Sequence, residues 1–406
     1  MISNLTKLSG FFIGLSFPLL LIKPIPFGIS LAIAFITIAL GNKKLIFDSL
    51  ATCIKSKNFP PLLFFFLIFS ISTFFSISPE RSILVQIYLF SFIFISYFFF
   101  LNFRENKELL DICVKFLLFG IIFCTTWIFF FCIKEMIASP QAFETTIVGY
   151  EVQKYKGHTN ILTILVLLSP IFESYLDHKT RIISFILIAL IIPCILISNC
   201  SAALLGIVLG TLGLIYVELI NKLMNSKRKK ILISFILFIS SASIFLNLLP
   251  KKTSEINPSQ INFIIPTSLL DAHRQIIWGY SFEKVKNKVL LGYGADTSNF
   301  IDGSQKVIGH QSTGTMHFIP SHPHNFFIEL ILEIGLLGSF SFFFLLLNTL
   351  YVFSRNNKIP RHLIFFNFYF WGASLVNFSF WAAWWQGSYF LILSLVFSMI
   401  YHRVNK

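Results

Sequence analysis

The chain has 406 residues, of which 55% are hydrophobic, 17% aromatic and only 12% charged, with a mean hydropathy of +0.78. That balance excludes a soluble domain of this length and makes lipid the solvent for most of the chain. The net charge of +14 sits in short clusters between apolar runs, so it reads as a topology signal and not as a nucleic-acid-binding face. Unbroken apolar stretches such as 231–249 rule out a transmembrane barrel, whose strands alternate, and leave α-helices as the spanning form.

In chain order the hydropathy predicts about twelve spans, near 8–22, 25–41, 60–77, 82–102, 109–133, 159–176, 181–198, 201–220, 231–249, 325–353, 362–380 and 388–401. The first run lacks a small-residue cleavage site and leads straight into the second, so it is read as a helix and not as a signal peptide. With both termini cytoplasmic, inside segments carry nineteen Lys and Arg against five in the short outside segments. Asymmetry of that size fixes the orientation. The whole of 1–406 is then one polytopic membrane domain. The six cysteines, Cys53, Cys113, Cys124, Cys132, Cys194 and Cys200, fall in or beside predicted helices, and none lies in the large loop, so no disulfide framework is implied.

The one large polar segment, 250–324, falls outside between spans nine and ten, where a loop of that length is expected to carry function. Its late position, and the absence of a visible repeat, count against a six-plus-six transporter. Within it, 268–288 is predicted as a helix with Ser268 and Asp271 spaced as a capping box. Trp278, Phe282, Val285 and Val289 form a stripe suited to lying on the membrane surface. Arg274, one turn before Trp278, could offer its planar guanidinium to a lipid-borne phosphate, although an arginine touching headgroups would look the same. Gly292-Tyr293-Gly294 marks a turn.

Six of nine histidines fall outside: His158, His273, His310, His317, His322 and His324. Pro323 can occupy only the first position of a helix, so His324 and Asn325 are placed in the opening turn of span ten. The helix dipole there disfavours the imidazolium, which makes His324 a candidate general base with His322 beside it. A histidine capping a helix at headgroup level is the plain alternative. Asn325, Glu329 and Glu333 share one helix face, and carboxylates at that depth must face the bundle interior or a wet cavity. Gly335 and Gly338 follow, as small residues that let another helix approach. A second outside segment brings Lys154, Lys156 and His158. Trp381, Trp384 and Trp385 cluster in the last outside turn, as an interfacial belt or as rings that stack on sugars. No spacing supplies a third ligand for a metal.

Taken together, several of these pieces resemble the O-antigen ligase and polymerase superfamily of bacterial envelope glycan transferases. His324-Asn325, nine residues, then Gly335-Leu-Leu-Gly338 is similar to its signature. Arg274-Gln-Ile-Ile-Trp278 followed by Leu290-Leu-Gly292-Tyr-Gly294 resembles its Arg-x-x-x-Trp and Leu-Gly-x-Gly pair. Asn160-Ile-Leu resembles its Asn-x-Leu helix start. The likeness covers roughly 157–385. It implies a multi-pass protein of the bacterial inner membrane with its site facing the periplasm. It also implies metal-independent, inverting transfer, without a cofactor, of a glycan from an undecaprenyl diphosphate carrier to a lipid A core sugar. On this likeness His324 activates the acceptor hydroxyl and Arg274 engages the diphosphate. His322, Asn325, Glu329, Lys154, Lys156 and Trp278 are the expected substrate contacts, and membrane lipid, not nucleic acid, is the surrounding partner. Where family members often read Ser-Arg-Gly, this chain has Cys200-Ser201-Ala202, so a second arginine is missing at Ser201 and the full phosphate clamp is complete only if Lys154 or Lys156 substitutes. The alternatives are a polymerase joining carrier-linked repeat units, a protein O-oligosaccharyltransferase and, from another class, a polysaccharide transporter or flippase.

Overall fold

The computed structural model describes residues 4–21, 23–41, 43–138, 155–176, 181–224, 226–255, 257, 260–308, 316–356, 360–376 and 378–404. Among the described residues the protein is all-α, apart from one two-stranded antiparallel pair, Val307–Ile308 with Met316–His317. The helices are α1 (Asn4–Leu20), α2 (Pro24–Gly41), α3 (Lys43–Lys55), α4 (Phe59–Phe74), α5 (Pro79–Glu105), α6 (Lys107–Ala138) and α7 (Lys156–Tyr175). They continue with α8 (Ile182–Ile197), α9 (Ser201–Leu223), α10 (Lys227–Leu248), α11 (Ala272–Val285), α12 (Phe326–Asn356), α13 (Arg361–Ala373) and α14 (Ala383–Val404). Pro24 and Pro79 open α2 and α5, where a missing amide costs nothing and the fixed φ suits a first turn.

Six of these helices, α2, α5, α6, α9, α12 and α14, are long and apolar enough to cross a membrane, and the bent pair α3–α4 makes up to seven. α8 and residues 232–248 of α10 are shorter apolar helices. Others fall short for simple reasons: α13 has only 13 residues and α1 has 17. Large side chains such as Phe119, Phe123, Trp127 and Phe130 stay exposed along α6, as expected for a surface whose solvent is hydrocarbon. The protein is a multi-pass membrane protein.

Inside the bundle, helices meet through small residues. α9 presents Gly206, Gly210 and Gly213 to the rings of Tyr369, Phe365 and Phe368 on α13, at distances where a methyl group would overlap the rings. Close approach of this kind gives dispersion contact, which must do the work of association where lipid tails are as apolar as leucine. Five of the cysteines are buried and Cys53 is half-buried, all as free thiols.

The loop region departs from the sequence reading in three places. The predicted helix over 268–288 runs only from Ala272 to Val285, and its cap is Asp271, whose Oδ2 accepts the Arg274 amide at 3.2 Å, in place of a Ser268 box. The stripe through Trp278 does not lie on the membrane. Trp278 is 2% exposed and packs with Leu249, Ile277 and Ile328 against Phe245, because a long-range apolar partner was waiting in the fold. Finally, α12 begins at Phe326, so His324 and Asn325 stand outside it, with Asn325 as its cap.

Candidate active site

α11 carries Arg274 in its first turn and Trp278 one turn on. Gln275 fastens the approach to this helix by donating to the carbonyls of Ile265 (2.9 Å) and Leu270 (2.8 Å), and Glu283 fastens its far end by accepting the Thr253 amide at 3.0 Å. On the same helix, Tyr280 stacks on Phe318 with centroids 4.5 Å apart. The buried Trp278 indole donates from Nε1 to the carbonyl of Pro323 at 2.7 Å. This bond ties the helix that carries Arg274 to the His322-Pro323-His324 segment.

His324 has φ +56, in the left-handed region that a histidine rarely occupies. Asn325 sets this up. Its side-chain Oδ1 accepts the amides of Phe327 and Ile328, each at 3.1 Å, as a helix cap, and the chain must turn sharply to enter it. The Phe326 amide then donates to the Ser374 carbonyl at 3.1 Å, tying the start of α12 to α13. The rings of His322 and His324 lie 4.0 Å apart at 55°, and the Ser321 hydroxyl sits 2.9 Å from His322 Nδ1. The two imidazoles thus form one unit in front of the helix.

Below them the carboxylates serve the scaffold. Glu329 is fully buried and accepts from Ser379 Oγ at 2.5 Å and the Phe380 amide at 2.7 Å. Glu333, equally buried, accepts from the amides of Asp296 (2.5 Å) and Ser298 (2.8 Å) and from the Trp381 indole. Asn325, Glu329 and Trp278, expected as substrate contacts, have these polar groups engaged within the protein. Trp381 and Trp385 are buried as well, Trp385 stacking on Phe370 at 4.2 Å and donating to Ser374, so neither belongs to an interfacial belt. Interior donors and acceptors are what these groups found.

A feature the sequence reading missed lies at Gly335, where α12 breaks with φ +68 and ψ −174. Only glycine adopts that conformation readily. The break frees backbone groups that pair with the loop: the Leu336 and Leu337 amides donate to the carbonyls of Val289 and Leu290, while the Tyr293 and Gly294 amides donate to those of Leu332 and Glu333. The Leu-Gly-x-Gly turn and the Gly-Leu-Leu-Gly stretch, read separately along the chain, are partners in space. The α4–α5 turn grips the same loop through Ser72 to the Leu291 carbonyl, the Ile77 amide to that of Tyr293 and a 2.8 Å Arg81–Asp296 ion pair. The paired glycines of the sequence were the signal that could have revealed it.

Lys156 opens α7, and its carbonyl faces the Cys200 thiol at 3.3 Å, beside the start of α9. Burial lowers the pKa of its ammonium below the usual lysine value; Cys200 acts the other way and the positive charge of Arg274 adds to the lowering. The fold thus brings Lys156 within electrostatic reach of Arg274, next to Ser201, where the second arginine is missing. Asn160, one turn along α7, is buried and accepts the Tyr369 hydroxyl at 2.8 Å. Lys154 and His310 lie outside the described residues. His273 and His317 belong to the loop's own framework, His273 Nε2 lying 3.0 Å from the His317 carbonyl. Among the described residues no three His, Cys, Asp or Glu side chains group as metal ligands would.

Residues 159–343, from the first turn of α7 through the break in α12, match the model of the O-antigen ligase family. Over that stretch the chain is similar to that family. The match takes in Asn160, Arg274, His324 and the Gly335–Gly338 stretch. Proteins named as polysaccharide ligases are similar to the chain: one from Rickettsia typhi is 28% identical over 223 residues, covering 53% of this chain and 52% of the relative. One from Rickettsia prowazekii is 28% identical over 217 residues (52% and 51%), and one from Rickettsia conorii 29% over 154 residues (37% of each). The chain spans about half the length of the curated relatives it matches. The apolar helices and the family match agree on a membrane-embedded protein similar to O-antigen ligases.

Proposed function

We propose that this O-antigen ligase-type enzyme transfers a glycan from undecaprenyl diphosphate to a sugar hydroxyl of the lipid A core, on the periplasmic face of the bacterial inner membrane. His324 accepts the proton of the acceptor hydroxyl while its oxygen attacks the anomeric carbon from the side opposite the carrier. The bond to the diphosphate breaks with inversion, and Arg274 and Lys156 meet the charge that develops on the leaving oxygens. No metal takes part. His322 steadies His324; Asn325, Glu329 and Trp278 position the segment instead of touching substrate. Lys156 stands in for the arginine missing at Ser201. The 1–406 chain threads the membrane about twelve times with both termini cytoplasmic and 250–324 outside.

The observation that carries this reading is the Trp278–Pro323 hydrogen bond, which couples the helix bearing a phosphate-binding arginine to the histidine segment. Proximity and orientation are what such a transfer needs most.

Deleting the gene and resolving the lipopolysaccharide on a gel tests it. Bare core, with polymer stranded on its carrier, is the expected pattern. Core bearing a single repeat unit reassigns the chain as a polymerase, and unchanged banding sinks both. Within the site, His324→Ala should abolish transfer, and His324→Asn separates chemistry from backbone, because asparagine tolerates a left-handed φ. Transfer retained by His324→Asn would remove His324 as the base.

A further inference from the structure

At the end of α12 away from His324, a cavity of about 850 Å³ opens between α4, α5, α12 and α14. Its walls are almost entirely apolar and aromatic, with Phe65, Phe90, Phe94, Phe342, Leu393 and Phe397 among them, and Cys53 and Tyr401 stand at its margin. The volume lies in the range of ligand pockets, and the walls offer little for a polar ligand to bind.

What borders the cavity is basic and amphipathic. α3 meets α4 at 92°, and the turn between them, Ser56–Asn58, is locked to α12 by the Asn348 amide on Asn58 Oδ1 at 2.8 Å. α3 exposes Phe47 (73%), Leu50 (42%) and Ile54 (55%) at i, i+3 and i+7, one apolar helix face of the kind that suits a membrane surface. Lys55 and Lys57 stand exposed at its end, and Asp48 is the one acid between 43 and 57. Arg104, whose guanidinium lies 5.8 Å from the Tyr401 ring centre and 3.7 Å from Glu105, adds a further cation at the same margin.

We propose that this cavity is a binding site for an anionic phospholipid, with one acyl chain between α4, α5 and α14 and the headgroup phosphate against Lys55, Lys57 and Arg104. The charge of the rim selects the headgroup, and the aromatic lining takes the chain. The site is separate from the His324 segment and does not depend on the reaction assigned to it. It draws its lipid from the leaflet on which α3 rests.

The full chain in nanodiscs, photolabelled with phosphatidylglycerol carrying a diazirine in its acyl chain, tests the proposal. Labels are expected on peptides covering Phe90–Phe100 and Leu393–Tyr401. Phosphatidylglycerol is expected to outcompete the phosphatidylcholine of equal chain length by roughly fivefold for each engaged lysine, and the double variant Lys55→Glu/Lys57→Glu to erase that preference. These are surface substitutions, so the fold should survive them. Uniform labelling of all lipid-facing helices, equal competition by the two lipids, or a preference that survives the double variant would overturn the site. Displacement by a polyprenyl phosphate at lower concentration than phosphatidylglycerol would also overturn the assignment, by giving the cavity to a carrier tail.

Discussion

Trp278 and Pro323 are joined by a buried hydrogen bond from indole Nε1 to a carbonyl oxygen, 2.7 Å long, and the indole packs in one cluster with Leu249, Ile277 and Ile328. Forty-five residues separate them in the chain, yet this bond sets where α11 sits relative to the histidines. Pro323 has no amide to anchor itself, so its carbonyl is the handle available to the fold.

Trp278→Phe keeps the ring packing and deletes the donor. A buried carbonyl left without a partner costs about 1–3 kcal/mol. The expected outcome is a modest fall in melting temperature of the purified protein and a much larger fall in glycan transfer. Equal, small losses in both would show that the bond holds the fold and not the site.

Gly335→Ala meets two penalties at once: a backbone conformation reserved for glycine, at about 1–3 kcal/mol, and a Cβ 2.2 Å from the Leu290 carbonyl oxygen. Loss of folded protein from the membrane fraction is expected. Gly28→Ala is the matched control, since nothing lies within 4 Å of its added carbon, and it should be neutral or mildly stabilising in α2.

Glu333→Gln keeps the size of the side chain but turns an NH2 group toward a nest of donors, the amides of Asp296 and Ser298 and the Trp381 indole. At least one N–H must lose its acceptor, at about 1–3 kcal/mol. A lower thermal midpoint should appear with increased protease cleavage in 289–300. An unchanged midpoint would mean that the carboxylate is not what holds this loop.

Lys156 gives the pH dependence. Its folded-state pKa is lowered by burial, with Cys200 opposing and Arg274 reinforcing the shift. A lysine depressed in the folded state penalises folding below that value, and the penalty is relieved as pH rises toward the unfolded value. Diphosphate binding runs the other way, because it needs the ammonium. Transfer should therefore decline at a pH below that of an ordinary lysine while stability does not. Lys156→Arg should move the alkaline limb of the rate profile upward, whereas Lys156→Met should lower the rate at every pH. A limb that stays in place in Lys156→Arg would assign it to another group.

Much of this was legible in the chain itself. Apolar runs of helix length located most of the helices, and Arg274 and Trp278 fall on α11, with Asp271 at its cap, as the periodicity implied. What could not be read was pairing at a distance. Hydropathy sees Trp278 and Trp381 as interfacial side chains, because nothing local says that Pro323 and Glu333 wait for their indoles. The same holds for Glu329, whose partners Ser379 and Phe380 lie 50 and 51 residues away. The placement of His324 in an opening turn failed for a local reason instead: Asn325 is a stronger cap than His324 is a helix former. Helix α3 was hidden among lysines that looked only like a topology signal.

The seam between 289–294 and 332–337 has a metric consequence. His324 stands at one end of a helical segment whose other end, Gly335, is pinned residue by residue to the loop. One residue inserted between them would turn the histidine by roughly 100° and shift it by about 1.5 Å relative to α11, since a helix advances in fixed steps. The interval from His324 to Gly335 is thus a ruler, whose length the fold fixes as firmly as the bonds of Asn325, Glu329 and Glu333 within it.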